Sequence, residues 1–263
     1  MVNSKTPAQV VAAARSQAKI TTPELIEHLF DNFFELHGDR QGADDPAIVG
    51  GLARFCGHPL TVVATDKGKT PKQRVAKHFG SPEPAGYRKL LRLAKQAEKF
   101  GRPLVTFVNT AGAYPGRSAE EQGQGEAIAR CLLELGRLKV PMITFIFGEG
   151  GSGGALAMAC GDRVYMLEDS MYSVLSPEGF ASILWKDSSR AKEAAQVMKI
   201  TAEDLKQLGI VEKIIPEQIA ACEGNLLEIA GYMKQGIKEF IEKYKDLKPQ
   251  TLADMRYKRF RNM

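Results

Sequence analysis

The sequence predicts an α/β protein with a parallel sheet at its centre, and three observations support this fold class. Two units, each made of a strand, a glycine-rich loop and a helix, follow one another over residues 103–138 and 141–160. A strand follows each of the two helices, which is the order of elements in a βαβ-type sheet. The C-terminal third shows helical patterning around one short strand at residues 210–214.

Before the central units, the sequence predicts a helix, a hairpin and a second helix. A threonine cap followed by proline at the first helical position starts the first helix, which is expected over about residues 22–37. The strands of the hairpin are expected at residues 47–55 and 60–65. The second helix, residues 85–100, is amphipathic and basic, and Gly101 ends it.

The two central units supply the buried strands. The first has a strand at residues 103–108, a loop at 109–116 and a helix from about 118 to 138. The second has a β-branched and aromatic strand at 142–147, a turn at 148–154 and a short helix at 155–160. The elements expected after it are a strand at 163–167 and helices at 177–184, 188–199, 202–208 and about 222–244.

Composition excludes several classes of protein. The chain has 263 residues, of which 44% are hydrophobic and 25% charged, as is usual for a globular protein. It has neither a run of about 18 apolar residues nor a signal-peptide core, so we expect a cytoplasmic protein with no membrane segment. The four cysteines lie far apart, with no C-x-x-C pair, and we expect reduced thiols and no metal site. The net charge of +5 comes with a basic C-terminal end, which is expected to be a solvated or docking surface rather than a nucleic-acid site.

The turn at residues 148–154 is the most informative segment, because five of its seven residues are glycine. Glycine has no Cβ, so such a turn brings bare main-chain N–H groups close to a ligand. Where a helix begins, these donors favour a negative or developing negative charge. The turn therefore predicts a site for an anion, an oxyanion or a phosphate.

Three signatures fit this turn. Gly148, Gly150 and Gly153 satisfy the dinucleotide pattern G-x-G-x-x-G after a strand. Gly150, Ser152 and Gly154 satisfy the nucleophile-elbow pattern G-x-S-x-G. The third interpretation is an oxyanion hole made by main-chain amides, with no nucleophile. The elbow lacks its partners, because the acid and histidine should follow the serine and all four histidines precede it.

Eleven segments in collinear order resemble the α subunit of the bacterial acetyl-CoA carboxylase carboxyltransferase, over about residues 24–215. They are 35–40 (ELHGDR), 86–89 (GYRK), 97–100 (AEKF), 112–116 (GAYPG), 119–121 (AEE), 126–129 (EAIA), 148–156 (GEGGSGGAL), 172–174 (YSV), 176–179 (SPEG), 183–186 (ILWK) and 199–201 (KIT). The resemblance implies a crotonase-like fold, a spiral of ββα units. It implies one carboxyltransferase domain over residues 1–263, with a C-terminal helical extension over about 220–263.

The resemblance also implies the reaction and the partners. A carboxyl group passes from carboxybiotin, tethered to the biotin carboxyl carrier protein, to acetyl-CoA, and the product is malonyl-CoA for fatty acid synthesis. The subunit is active as an α2β2 assembly with a homologous β subunit, which carries the zinc. Biotin carboxylase belongs to the same complex, and ATP is bound elsewhere in it. Biotin is not attached to this chain.

The chemistry implied by the resemblance suits main-chain donors. Charge develops on the ureido oxygen of biotin and on the thioester oxygen of acetyl-CoA, and preorganised amides stabilise both. We expect the amides of Gly150 and Gly151 to form the oxyanion hole for carboxybiotin, with Gly153 and Gly154 shaping the turn. Gly112 and Ala113 form a second possible anion site and are further candidates for substrate binding. Glu178 resembles a family motif and is expected at a helix start.

Several residues depart from the family pattern, among them residues 66, 109 and 111. Asn109 stands at a usual aspartate, Ala111 at a usual proline and Asp66 at a usual glutamine. None lies in the glycine turn, so the reaction class is unaffected. The alternatives are a carboxyltransferase for another acyl-CoA, a dinucleotide-binding oxidoreductase, and a non-catalytic scaffold that docks a carrier.

Overall fold

A computed structural model describes residues 5–217 and 221–263. Within these ranges, eight strands form one sheet in the order β1-β2-β3-β4-β5-β6-β8, and β7 pairs with β5. The strands are β1 Asn32–Glu35, β2 Ile48–Phe55, β3 His58–Thr65, β4 Leu104–Thr110, β5 Met142–Gly151, β6 Arg163–Leu167, β7 Met171–Ser173 and β8 Lys213–Ile215. Strands β1 to β3 pair antiparallel, and all later pairings are parallel.

Helices cover both faces of this sheet. They are α1 Pro7–Ala14, α2 Thr22–Leu29, α3 Pro71–Ala76, α4 Pro84–Lys99, α5 Arg117–Glu121, α6 Gln124–Gly136, α7 Ser152–Leu156, α8 Pro177–Trp185, α9 Ala191–Val197, α10 Ala202–Gln207, α11 Leu226–Tyr244 and α12 Pro249–Arg261. The predicted hairpin, the helix at 85–100 and the two central strands are confirmed to within a few residues.

Alternating side chains of the central strands build two hydrophobic cores. Phe107 of β4 and Phe145 of β5 stack with their ring centroids 5.3 Å apart, in the core shared with α2 and α11. Their neighbours Val108 and Ile146 point to the other face and pack against α4 and α6. Because both faces are covered, β4 and β5 are buried along their whole length, which explains their nearly continuous apolar sequences.

The predicted N-terminal helix over about residues 22–37 was wrong in its second half. Helix α2 ends at Leu29, and the following residues form the edge strand β1. Aromatic residues favour strands, and Phe33 packs against the core while β1 pairs with β2. Tertiary pairing therefore overrides the apparent continuation of the helix.

Two other predicted helices differ from the observed ones. The helix expected over residues 118–138 is divided into α5 and α6, because Gly123 adopts a left-handed φ of 83° between them. The C-terminal helical extension expected over about residues 220–263 consists of α11 and α12. Residue 220, its expected start, lies outside the described residues.

One buried ion pair fastens α12 to the sheet. Arg256 is 1% exposed and donates to both carboxylate oxygens of Asp162, at 3.0 and 2.8 Å. Its remaining N–H groups bind three main-chain carbonyls, those of Leu135, Leu138 and Val140. Asp162 also accepts the amide N–H of Met142, the first residue of β5. The C-terminal helix therefore stabilises the start of the central strand.

Replacing Arg256 by methionine is expected to lower the free energy of unfolding by about 3–5 kcal/mol, because it leaves a buried carboxylate without its cation. The measurement is urea denaturation at pH 7. Lys258→Met is the matched control, since Lys258 is exposed on the same helix, and it should cost less than about 0.5 kcal/mol. Equal stabilities of the two variants would contradict this role of the ion pair.

Candidate functional site

The glycine-rich segment is mostly strand rather than turn. We predicted a turn from residue 148, but β5 continues in extended conformation through Gly151. The end of β5 gains partners of its own, because Glu149, Gly150 and Gly151 pair with β7, and Gly150 also pairs with Thr110 of β4. The chain reverses only at Ser152, whose φ of 57° is left-handed, and α7 begins there.

The two glycine loops that the sequence presents separately meet in space. A Cβ on Gly151 would overlap the main-chain carbonyl of Ala111. A Cβ on Gly154 would lie 2.5 Å from the amide nitrogen of Ala113 and 2.8 Å from the carbonyl carbon of Gly112. We call residues 110–113 and 151–154 the glycine junction. At Gly151 and Gly154 the two main chains approach too closely for any side chain, so peptide groups of the two loops meet directly there.

Exposure differs among the residues of the junction. Gly150 and Gly151, the donors expected from the sequence, are buried in the ladder of β5. Ala113 and Gly153 are partly exposed, and Ser152 is exposed. The peptide groups nearest to solvent therefore belong to the start of α7 and to the loop after β4.

Ser152 has the left-handed backbone of a nucleophile elbow but not its partners. Within the described residues, no hydrogen bond joins its hydroxyl to a histidine or to an acid. The dinucleotide signature also fails, because Gly148 and Gly150 lie inside a strand rather than in a phosphate-binding turn. The junction instead brings the main-chain groups of two loops into contact.

A carboxylate from the glycine segment is held by two cations. Glu149 is 6% exposed; its Oε1 accepts from Arg15 at 2.8 Å and its Oε2 from Lys67 at 2.5 Å. Burial raises the pKa of Glu149, but the charges and hydrogen bonds of Lys67 and Arg15 outweigh burial and leave the pKa below its ordinary value. The carboxylate is therefore ionised at neutral pH.

Arg15 joins this carboxylate to Glu178. Its Nη1 and Nη2 donate to the two carboxylate oxygens of Glu178, at 2.7 and 3.2 Å. Glu178 lies in the first turn of α8, where it was expected, but the capping side chain is that of Ser176, which accepts from Gly179 at 3.0 Å. The hydrogen bond from Arg15 lowers the pKa of Glu178. Sequence reasoning missed Arg15, because it lies more than 130 residues from its partners.

A cleft of about 260 Å³ opens beside the junction, outside the carboxyl ends of β3, β4 and β5. Ligands of parallel α/β sheets commonly bind at this edge. Ala111 links the two features, since it lines the cleft while its carbonyl packs against Gly151. Asp66 and Asn109, two more departures from the family pattern, also line the cleft.

Neither a metal centre nor a membrane span is found in the described parts of the chain. No group of three or more His, Cys, Asp or Glu side chains there is arranged to hold a metal ion. None of the described helices combines the length and the apolar character needed to cross a bilayer.

Comparison with known families gives a match over the whole chain. Residues 1–263 match the profile of the family described as acetyl co-enzyme A carboxylase carboxyltransferase-like. The chain belongs to this family. It is 57% identical over 253 residues to the acetyl-coenzyme A carboxylase carboxyl transferase subunit alpha of Streptococcus pyogenes serotype M5, covering 96% of this chain and 97% of that protein. The corresponding subunit of Streptococcus equi subsp. equi is 55% identical over 262 residues, with coverage of 97% and 98%.

Solved structures of carboxyltransferases share the crotonase-like fold. Transcarboxylase 12S, with methylmalonyl-coenzyme A bound, superposes with a TM-score of 0.72 at 19% identity and covers 93% of this chain. This chain spans 46% of the 12S chain. A Pseudomonas malonate decarboxylase hetero-tetramer gives a TM-score of 0.64 at 17% identity, with coverage of 82% and 87%. The predicted fold class is confirmed.

The close approach of the two main chains at the glycine junction predicts how alanine substitutions affect stability, and the same motif supplies a control. Gly151→Ala is expected to lower the free energy of unfolding by about 1–3 kcal/mol, because its methyl group must displace the main chain at Ala111. Gly153→Ala should be neutral or slightly stabilising, since its Cβ would meet only Ile128 at 3.6 Å. Chemical denaturation of both variants checks this, and a Gly151→Ala protein as stable as the wild type would contradict the geometry.

The pKa of Glu149 gives a pH prediction. A carboxylate whose pKa is lowered in the folded state contributes stability above its unfolded pKa, about 4.3, and loses it as pH falls through the folded pKa. Glu149→Gln should therefore be less stable than the wild type by about 1–3 kcal/mol at pH 7, and the difference should shrink below about pH 4.

Urea denaturation at several pH values measures this difference. The control is Glu121→Gln, which removes an exposed carboxylate paired with Arg117, and its difference should stay below about 1 kcal/mol throughout. A Glu149→Gln difference that does not change with pH would show that the ion pair is not its source.

Proposed function

We propose that the chain, together with a homologous β subunit, transfers a carboxyl group from carboxybiotin to acetyl-CoA and so forms malonyl-CoA. The observation that carries this proposal is the glycine junction, a site made of peptide groups beside a polar cleft. The full-length family match supports the reaction class. The biotin is carried by a separate carrier protein, biotin carboxylase supplies its carboxyl group, and the complex works in the cytoplasm.

Main-chain donors suffice for this reaction. Loss of the carboxyl group leaves negative charge on the ureido oxygen of biotin, and amides fixed in position stabilise that charge without reorganising. The carboxyl group leaves as CO2, biotin itself takes the proton from the methyl group of acetyl-CoA, and the enolate so formed attacks the CO2 to give malonyl-CoA. No nucleophilic side chain is needed. This chemistry is compatible with a Ser152 that has no histidine partner.

The oxyanion hole in this proposal lies at the glycine junction. Gly150 and Gly151 are its first candidates, with Gly112, Ala113, Gly153 and Gly154 forming its walls. Because Ala113 and Gly153 are partly exposed while Gly150 and Gly151 are buried, we infer that the donors reaching the substrate come from the solvent side of the junction. Glu178 contributes through Arg15 to binding rather than to proton transfer.

The test is reconstitution with a β subunit and biotinylated carrier protein. The reverse reaction, carboxylation of biotin at the expense of malonyl-CoA, should require both subunits. Gly151→Val, which distorts the junction, should lower kcat by about 10²–10³-fold, the usual effect of losing one oxyanion donor. Gly153→Ala, which leaves the main chain in place, should retain activity within about tenfold.

Assembly of each variant with the β subunit is checked by size-exclusion chromatography, so that loss of activity is not loss of the complex. Robust malonyl-CoA formation by this chain alone would contradict a site shared between subunits. An assembled wild-type complex without transfer activity would favour a scaffold that only docks the carrier.

A further inference from the structure

The cleft beside the glycine junction contains an almost balanced set of charges. Four cations line it, and three of them have carboxylate partners. Arg15 and Lys67 both bind Glu149, Arg15 also pairs with Glu178 outside the cleft, and Lys19 binds Glu217 at 3.2 Å. The other carboxylate that lines the cleft, Asp66, forms an ion pair with Lys77. The charges of these side chains are therefore already compensated.

Arg74 is the exception. Within the described residues, its guanidinium has no carboxylate partner and donates only to two main-chain carbonyls, from Nε to Gly68 at 3.2 Å and from Nη2 to Gln17 at 3.1 Å. A guanidinium has five N–H donors, so Nη1 and one N–H of Nη2 are available as a fork. Such a fork matches the two oxygens of a carboxylate.

The surroundings favour a small anion. Ser16 and Thr21 add hydroxyl groups to the lining of the cleft. Its volume of about 260 Å³ limits the part of a ligand that can enter. Arg74 is the one unpaired charge among the described side chains that line it, which matches one negative charge rather than two.

We propose that this cleft is a binding site for a single carboxylate-type monoanion, with Arg74 as the residue that recognises it. The identity of the anion rests on the proposed function: it is the carboxylate under transfer, which enters beside Ala111 and the glycine junction. The same planar, singly charged chemistry belongs to free bicarbonate, so the experiment has one arm for the site and one arm for the source of the anion.

The first arm uses the full chain alone and does not depend on activity. Its thermal unfolding is followed with sodium acetate from 0 to about 50 mM, with sodium chloride holding the ionic strength constant, because a ligand that binds only the folded state raises Tm. Acetate should raise the Tm of the wild type. Arg74→Gln should abolish the shift, and Arg74→Lys, which keeps the charge without the fork, should reduce it. Lys72→Gln removes an exposed cation of the same helix and should leave the shift unchanged.

The second arm uses the reconstituted complex. Arg74→Gln should raise the KM for the carboxylated carrier protein by about tenfold or more, the usual size of a lost charge-assisted hydrogen bond. The KM for acetyl-CoA should stay the same. If the acetate shift is lost but the KM for the carrier is unchanged, the site stands and its anion is free bicarbonate.

An acetate shift that is absent in the wild type, or that Arg74→Gln retains in full, would overturn the proposal. Failure of the wild-type complex to transfer a carboxyl group would instead count against the proposed function. The acetate titration is unaffected by that failure, because it involves neither the β subunit nor the carrier.

Discussion

The close approach of two main chains at the glycine junction is the constraint on which the rest of the site depends. Gly151 and Gly154 lie where any Cβ would meet the peptide groups of Ala111 and Ala113. This contact joins the ends of β4 and β5, and it directs the chain into α7 at Ser152. The aromatic and aliphatic cores on both faces hold the two strands parallel up to this point. The packed sheet thus fixes a small set of bare peptide groups at its edge.

Electrostatics at this edge depend on chain segments that are distant in sequence. Glu149 brings a carboxylate into the glycine segment, and its two cations come from the end of α1 and from the loop after β3. Arg15 binds Glu178 as well, so one guanidinium ties the N-terminal segment to both β5 and α8. Removing one charge from such a network leaves its partner poorly compensated.

Local pattern predicted much of the fold and part of the site. The buried strands and α4 followed from apolar runs and helical periodicity, and the glycine count identified the segment that forms the junction. The prediction of the first helix was wrong in its second half, because Phe33 pairs in β1 and packs against the core there. The prediction of a turn from residue 148 was wrong, because pairing with β7 extends strand β5 through Gly151. Arg15 and the meeting of the two glycine loops depend on contacts between distant segments, which no local pattern contains.

The departures from the family pattern can be understood through the charges of the cleft. By the resemblance, Asn109 replaces an aspartate and Asp66 replaces a glutamine, and both residues line the cleft. One carboxylate is lost and one is gained, so the number of carboxylates in the cleft stays the same. Asp66 has its own cation, Lys77, while the side-chain oxygen of Asn109 accepts the amide N–H of Glu149 at 3.0 Å. A second carboxylate beside Glu149 would compete with it for Arg15 and Lys67. A neutral residue at position 109 avoids that competition and leaves Glu149 fully paired.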